Sequence, residues 1–341
     1  MVFFILRSYT NLLFLFLTVF GILLAVGGDS MFSVWMGMEV SFLGVLFLMS
    51  GDTEEEIEST MKYFIIQVIG SHLFLLSIMS VVGGWWSLEA PYLMAVSLLI
   101  KLGVFPFHFW VPPVISQLSY FSLLVLSVIQ KLVPLWVFSN MELQGGFLWF
   151  VESLLIISAF VGAVGGLGVL HFRTLLSYSS ISHTCFMAVL SLQSFFSCVV
   201  YLIVYFFLNL GLVLSLWMMK IFSVSDMQKV SGFSSESAAQ TISFYGLSLA
   251  GMPPFTGFFL KLYFLVVCWN DFPLLCVFFL AFSIISLYYY FFLFSAMGVF
   301  SLFGGVSLNL KSFKWSWLFI ISVVSNILPG LLIFMLVGVG L

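Results

Sequence analysis

The sequence predicts an all-α polytopic membrane protein of about eleven transmembrane helices, arranged as inverted repeats with two broken helices. Three observations carry that reading. Of 341 residues, 63% are hydrophobic and only 7% charged, whereas a soluble globule needs about 25% charged residues to wet its surface. Apolar stretches of bilayer-spanning length, about 20 residues, follow one another between short polar breaks. The basic residues between these stretches all fall on one side.

From break to break the spans run roughly 9–27, 31–50, 60–83, 90–110, 117–139, 146–170, 175–192, 194–219, 239–269, 273–298 and 315–339. The breaks are Gly27-Gly28-Asp29, the acidic stretch Asp52 to Glu58, Gly83-Gly84, Pro112-Pro113, Asn140 to Gly146, and the polar segment 222–238. The seventh span is short and polar; the ninth is long, with prolines at its middle. The domain expectation is one transmembrane body over 1–341, with a first repeat about 9–139, a second about 146–298 and a C-terminal helix about 315–339.

Arg7, Lys62, Arg173, Lys220, Lys229, Lys311 and Lys314 all land on the N-terminal side of an eleven-span chain. Asp29, Glu89, Glu142, Glu152 and Asp271 occupy the other. The positive-inside rule then places the N-terminus in the compartment of synthesis. The run Asp52 to Glu58 reads as a solvated loop on that inner side. Arg7 is followed directly by apolar sequence, which predicts entry into the membrane by the chain's own helices.

Several functions are excluded. A net charge of −3 without a basic stripe gives nucleic acid nothing to bind. Cys185, Cys198, Cys268 and Cys276 stand singly, without C-x-x-C spacing or Cys/His clustering, so metal, iron–sulfur and haem sites lack their ligands.

Glu39, Lys101, Lys131 and Lys261 fall deep within spans, about nine, twelve, fifteen and more than twenty residues from the start. Each costs roughly 2.5–3.5 kcal/mol at a helix centre. Intramembrane ionisable groups mark ion or proton pathways. A lysine suits proton transfer there, because a moving carboxylate changes how firmly it holds its proton.

An internal echo supports this. Gly103 to Phe107 and Gly251 to Phe255 both read Gly-x-x-Pro-Phe, in the fourth and ninth spans, each near a buried lysine. An odd offset of spans puts the copies in opposite orientations, as in inverted-repeat transporters with broken helices. Proline removes a backbone donor, so segments 90–110 and 239–269 should break near Pro106 and near Pro253-Pro254. His108 lies seven residues past Lys101, close to two helical turns, and could share its face. His183 lies in the polar seventh span. Both are candidate proton relays or packing hydrogen-bonders; His72 is assigned no role.

Trp35-Met36-Gly37-Met38-Glu39, Lys62-Tyr63-Phe64 with Gln67, residues 99–110 (Leu-Ile-Lys-Leu-Gly-Val-Phe-Pro-Phe-His-Phe-Trp), Gln130-Lys131-Leu132-Val133-Pro134, Leu176 to His183, and Gly251 to Phe258 with Lys261 resemble, in order, the chain 2 family of mitochondrial NADH–ubiquinone oxidoreductase (respiratory complex I), an antiporter-like proton-pumping membrane subunit. The likeness covers roughly 31–270. Phe105, Ser41 and Met252 depart from its usual alanine, asparagine and leucine.

The resemblance implies a core membrane-arm subunit of the mitochondrial inner membrane, its N-terminus toward the matrix, whose partners are other membrane-arm subunits and the bilayer. It implies an H+-translocating NADH:ubiquinone reductase in which NAD, FMN, iron–sulfur clusters and ubiquinone belong to other subunits and no cofactor is bound here. It implies that Glu39 pairs with Lys101 as a switch, Lys131 bridges, and Lys261 passes the proton outward. Two rivals remain: a cation/proton antiporter subunit of the same superfamily, separable by native assembly mass, and a structural scaffold, separable by activity after the lysines are neutralised.

Overall fold

The computed structural model describes residues 2–51, 53–84, 89–141, 145–224, 226, 233–303 and a few positions between 323 and 333. Most of the eleventh span, with Asp52, Glu142, Lys229, Lys311 and Lys314, lies outside the described residues. The described chain is helical, without strands beyond one isolated bridge between His171 and Ser223. The helices are α1 (Val2–Val26), α2 (Met31–Met49), α3 (Glu54–Gly83), α4 (Ala90–Leu102), α5 (Val111–Gln117), α6 (Tyr120–Val128), α7 (Leu132–Ser139), α8 (Gly146–Gly165), α9 (Phe172–Gln193), α10 (Phe195–Met219), α11 (Phe233–Ala250), α12 (Thr256–Cys268) and α13 (Pro273–Phe303). Short 3-10 turns occupy Phe107–Trp110 and Ile129–Lys131. Among the described residues eight stretches are long and apolar enough to cross a membrane, with shorter apolar helices at Thr10–Val26 and Thr256–Cys268. Two compact units divide the chain, Met1–Ser158 and Ala159–Leu341.

In the first unit α1 and α2 pack along stripes of small residues. A Cβ added to Gly21 would lie 2.4 Å from Ser41 N, and one added to Gly37 would lie 2.4 Å from Ala25 N. Close backbone approach of this kind is how membrane helices associate where lipid removes the hydrophobic drive. In the second unit α9 is buried along nearly its whole length. Its serines are accommodated because Ser177, Ser179, Ser180 and Ser182 each donate to a carbonyl one turn back.

Both expected breaks are present. α4 ends on Gly103 at φ 70° and α11 on Gly251 at φ 81°, the left-handed conformation that a Cβ disfavours. The ends match residue for residue. Gly103 donates to Ile100 O at 3.2 Å and Val104 to Leu99 O at 3.0 Å; Gly251 donates to Ser248 O at 3.0 Å and Met252 to Leu247 O at 3.2 Å. Phe107 then donates to Val104 O at 2.8 Å and Phe255 to Met252 O at 2.9 Å. A left-handed glycine with a bond spanning six residues is the Schellman ending. The Phe105–Pro106 and Pro253–Pro254 peptides are both cis.

Four expectations need correction. Pro112-Pro113 does not end the fourth span; these prolines sit in the first turn of α5, where an N–H is not required, and the chain turns at Leu118-Ser119. The acidic run is not all loop: Glu54, Glu55 and Glu56 form the first turn of α3, where negative charge is favoured. Thr53 Oγ1 accepts from Glu56 N at 3.3 Å as the cap, and Glu58 pairs with Lys62 at 2.7 Å. The seventh span is a full helix of 22 residues. The fifth span carries an unexpected break at the 3-10 turn Ile129–Lys131, because Pro134 cannot donate to Gln130 four residues earlier and its ring clashes with that carbonyl.

Helix ends that the eleven-span alternation assigns to one side do meet within the second unit. Phe172 N donates to Phe222 O and Val224 N to Leu170 O, both at 3.1 Å, between two loops that the alternation puts on the side of the N-terminus. Gln193 donates to Asp271 at 2.7 Å between two loops that the alternation puts on the opposite side.

Candidate functional site

In the first unit the expected charges gather around α2. Lys101, in the last turn of α4, rests on α3 where Gly70 clears its stem: a Cβ there would lie 3.1 Å from Lys101 Cγ. Its ammonium lies 3.8 Å from Met38 Sδ and 6.0 Å from the Phe74 ring centre. Met38 precedes Glu39, which is half-buried and whose charge acts on both Lys101 and Tyr63. Among the described residues no direct ion pair joins Glu39 to Lys101. The expected pair is therefore near but not closed. Lys131 is buried in the 3-10 turn of the fifth span. Its neighbour Gln130 donates to Ser41 O at 2.9 Å, which fixes that turn to α2 two residues past Glu39. α2 thus contacts the segments of both lysines.

His108 is buried in the 3-10 turn after the break, stacked on Phe105 at 5.7 Å and against Phe109 at 4.1 Å. The shared face with Lys101 does not exist, because the helix stops at Leu102 and the two-turn spacing no longer applies. His72 is exposed and bonded to Val68 O.

In the second unit Lys261, on α12, is 8% exposed and turns back to donate to Ala250 O, the last residue of α11. Gly251 gives it passage: a Cβ there would lie 2.7 Å from Lys261 Nζ. The partial negative charge of a helix C-terminus favours an ammonium at that point. Lys261 and His183 line one small cavity with Ser182, Ser283 and Ser286. His183 Nδ1 lies 2.8 Å from Tyr201 Oη, and its ring centre is 4.6 Å from that of Tyr205.

The arrangement puts an ammonium, a group able to hold a proton, at the end of a half-helix at each break: Lys101 half-buried and Lys261 buried. Among the described residues no group of His, Cys, Asp and Glu could hold a metal. Sequence reasoning missed three kinds of residue. Trp110 and Gln67 satisfy the freed carbonyls of Ile100 and Lys101, at 3.3 Å and 3.5 Å. Gln130 was legible as the residue that Pro134 releases. Tyr201, Tyr205 and Asn209 repeat every four residues along an apolar helix, a polar face that the sequence displays.

This fold and site define an antiporter-like membrane protein. The family model described as "NADH:quinone oxidoreductase/Mrp antiporter, TM" matches residues 28–90 and 81–287. The chain is 31% identical to NADH-ubiquinone oxidoreductase chain 2 of Lumbricus terrestris, over 83% of this chain and 85% of that one. It is 34% identical to the protein of that name from Mytilus edulis, over 92% and 93%. The chain belongs to the NADH–ubiquinone oxidoreductase chain 2 family. Its fold is similar to a chain in respiratory complex I from Thermus thermophilus, with TM-score 0.79, 20% identity, and coverage of 97% of this chain and 80% of that one. It is also similar to a chain of the Mrp complex from Dietzia, with TM-score 0.66, 16% identity, and coverage of 87% and 60%.

Proposed function

We propose that this chain is a core membrane-arm subunit of respiratory complex I that translocates protons across the mitochondrial inner membrane, coupled to electron transfer from NADH to ubiquinone. The observation that carries the reading is the pair of matched breaks, with half-buried Lys101 in the last turn of α4 and buried Lys261 at the end of α11, in a chain of the chain 2 family. NAD, FMN, iron–sulfur clusters and ubiquinone act on other subunits, and this chain contributes no redox step. Its partners are the neighbouring membrane-arm subunits and the lipid bilayer, and its N-terminus faces the matrix. The chain forms one transmembrane body of two repeats, about 9–139 and 146–298, with a C-terminal helix about 315–339.

Glu39 is the mobile counter-charge of Lys101. Motion of α2 that closes or opens the gap now flanked by Met38 changes the field at the ammonium, and so whether the proton is held or released. Lys131, tied to α2 through Gln130, receives the proton. Lys261 passes it on with His183 as relay, since both line one cavity. His108, whose buried Nδ1 has no hydrogen-bond partner among the described residues, takes the relay position beside the first break.

The test is the Glu39→Gln, Lys101→Met and double variants in the intact complex. Each single variant should lose most coupled turnover and the double little more, because groups acting as one unit are non-additive. Full NADH-driven pumping by an assembled double variant would refute the reading. Exposed Lys220 should react with an impermeant amine reagent from the matrix side only; reaction from the other side would refute the orientation.

A further inference from the structure

Glu39, Lys101, Lys131, His183 and Lys261 all lie deep within spans, and each is buried or half-buried. His72 lies at the centre of the third span, twelve residues from position 60 and eleven from position 83, and it is exposed. Gly70, two residues earlier, faces Lys101. Two helical residues turn about 200°, so His72 points away from the charges of the proposed proton path.

His72 sits in a stripe of exposed apolar residues on α3, namely Ile65, Ile69, Leu76 and Met79. Steps of four, three, four and three residues keep all five side chains on one face. Two membrane helices pack along such a seam with a slight left-handed crossing. Exposure and spacing alone do not mark an interface. α1 presents Leu12, Phe16, Val19 and Leu23 with the same alternation of four and three, all exposed, and lipid tails suit such a face as well as protein does. The α3 face differs by the polar group at its middle.

His72 Nδ1 lies 2.7 Å from the carbonyl oxygen of Val68, one turn back. A carbonyl oxygen only accepts, so Nδ1 carries the proton of the uncharged ring and Nε2 is left as an acceptor. No hydrogen bond reaches Nε2 among the described residues. The bilayer centre offers no water, and a side chain this short reaches neither interface; long lysine and arginine stems do so only from near helix ends. Ionisable groups at this depth face protein, and they hydrogen-bond across helices. We propose that this face of α3 docks a transmembrane helix of a neighbouring membrane-arm subunit, which sets a neutral donor (a hydroxyl, carboxamide or indole N–H) against His72 Nε2. A single polar residue in an apolar seam fixes register, because any slide along the seam leaves it unpaired. The inference goes beyond the proposed function and rests on it for the presence of neighbouring subunits.

The experiment has two arms on the intact complex. In the first, the photo-crosslinker p-benzoylphenylalanine replaces Ile69, a turn from His72 on the same face. It should join to one other polypeptide, within a membrane span and within about one turn of a Ser, Thr, Tyr, Asn, Gln or Trp. Adducts with lipid alone, with a second copy of this chain or with another segment of it overturn the docking; a partner span without such a donor overturns the role of His72. In the second arm, His72→Leu suits lipid better than histidine does. At a lipid-facing position it would leave the retention of neighbouring subunits in rising detergent unchanged or improved, and that result overturns the proposal. Loss of an interhelical hydrogen bond instead weakens retention roughly threefold, and His72→Gln, which keeps an acceptor, should recover most of it. Pumping per assembled complex should stay normal in both variants; its loss in assembled His72→Leu complex would make His72 part of the pump and overturn the docking role. The proposed function is decided separately, by the Glu39 and Lys101 variants, so the failure of one is not the failure of the other.

Discussion

At the end of α4 the carbonyls released by the break are taken by neutral donors, the Trp110 indole on Ile100 O and the Gln67 amide on Lys101 O. At the end of α11 the carbonyl of Ala250 is taken by the ammonium of Lys261. The backbones are otherwise the same, from the left-handed glycine to the bond that closes on Phe107 or Phe255. One backbone device therefore serves two electrostatic arrangements. A helix C-terminus carries roughly half a negative charge. In the second unit that fixed partial charge is the partner of the lysine. In the first unit neutral side chains satisfy the carbonyls, and the formal charge proposed above as the partner of Lys101, Glu39, stands on another helix, α2. A counter-charge on a separate helix can move relative to its lysine; a counter-charge that is the backbone beside it changes only if the break itself rearranges.

The largest effect that would break this contrast comes from truncating each lysine. Lys101→Met and Lys261→Met should both abolish most pumping, but only Lys261→Met leaves a buried carbonyl without its donor. That loss is worth about 1–3 kcal/mol, so thermal inactivation of the intact complex should come several degrees earlier for Lys261→Met than for Lys101→Met. Equal inactivation temperatures would mean that the Lys261 bond to Ala250 does not hold the break.

A smaller effect separates the glycines. Gly103→Ala and Gly251→Ala both force a Cβ into a left-handed conformation, at about 1–2 kcal/mol each. The Gly103 Cβ would meet Val111 Cγ2 at 2.5 Å, whereas the Gly251 Cβ would meet Lys261 Nζ at 2.7 Å. Gly251→Ala should therefore lower proton transfer per NADH oxidised, while Gly103→Ala lowers the amount of assembled complex without changing that ratio. The ratio is read by an acidification dye alongside NADH absorbance. An unchanged ratio in Gly251→Ala would separate the position of the lysine from its function.

What the sequence made legible was whatever proline and glycine announce locally. The breaks at Gly103 and Gly251 follow from residues lying within a few positions of the break, and charge placement gave an alternation with which the same-side loop contacts of the second unit agree. Where a proline's effect falls one turn upstream, as with Pro134 on Gln130, the same rule applies but has to be read backwards. The acidic run before α3 was misread because charge density signals solvent and helix N-terminus alike, and Thr53 decides between them. The face shared by Lys101 and His108 was wrong for a consistent reason: a helical spacing was carried across a break that the same reading had placed between them. The gap between Glu39 and Lys101 was not legible at all, since it depends on how α2 and α4, which both pack against α3, are spaced in three dimensions.

The smallest effect tests the neutral side of the contrast. Trp110→Phe keeps an aromatic ring against Tyr63, whose centre lies 5.7 Å away, and removes the indole donor to Ile100 O. That carbonyl also accepts from Gly103 N at 3.2 Å, so it is not left without a partner. The cost should fall at the low end of the range for one hydrogen bond, about 0.5 kcal/mol, with pumping near normal at ordinary temperature and a slightly earlier thermal inactivation. The corresponding donor in the second unit is Lys261, and its removal should be far more damaging. If Trp110→Phe proved as harmful to pumping as Lys261→Met, the Ile100 carbonyl would be part of the proton path rather than a capped end. The two breaks would then be electrostatic equivalents, and the role given to Glu39 as the separate counter-charge of the first unit would have to pass to the backbone there as well.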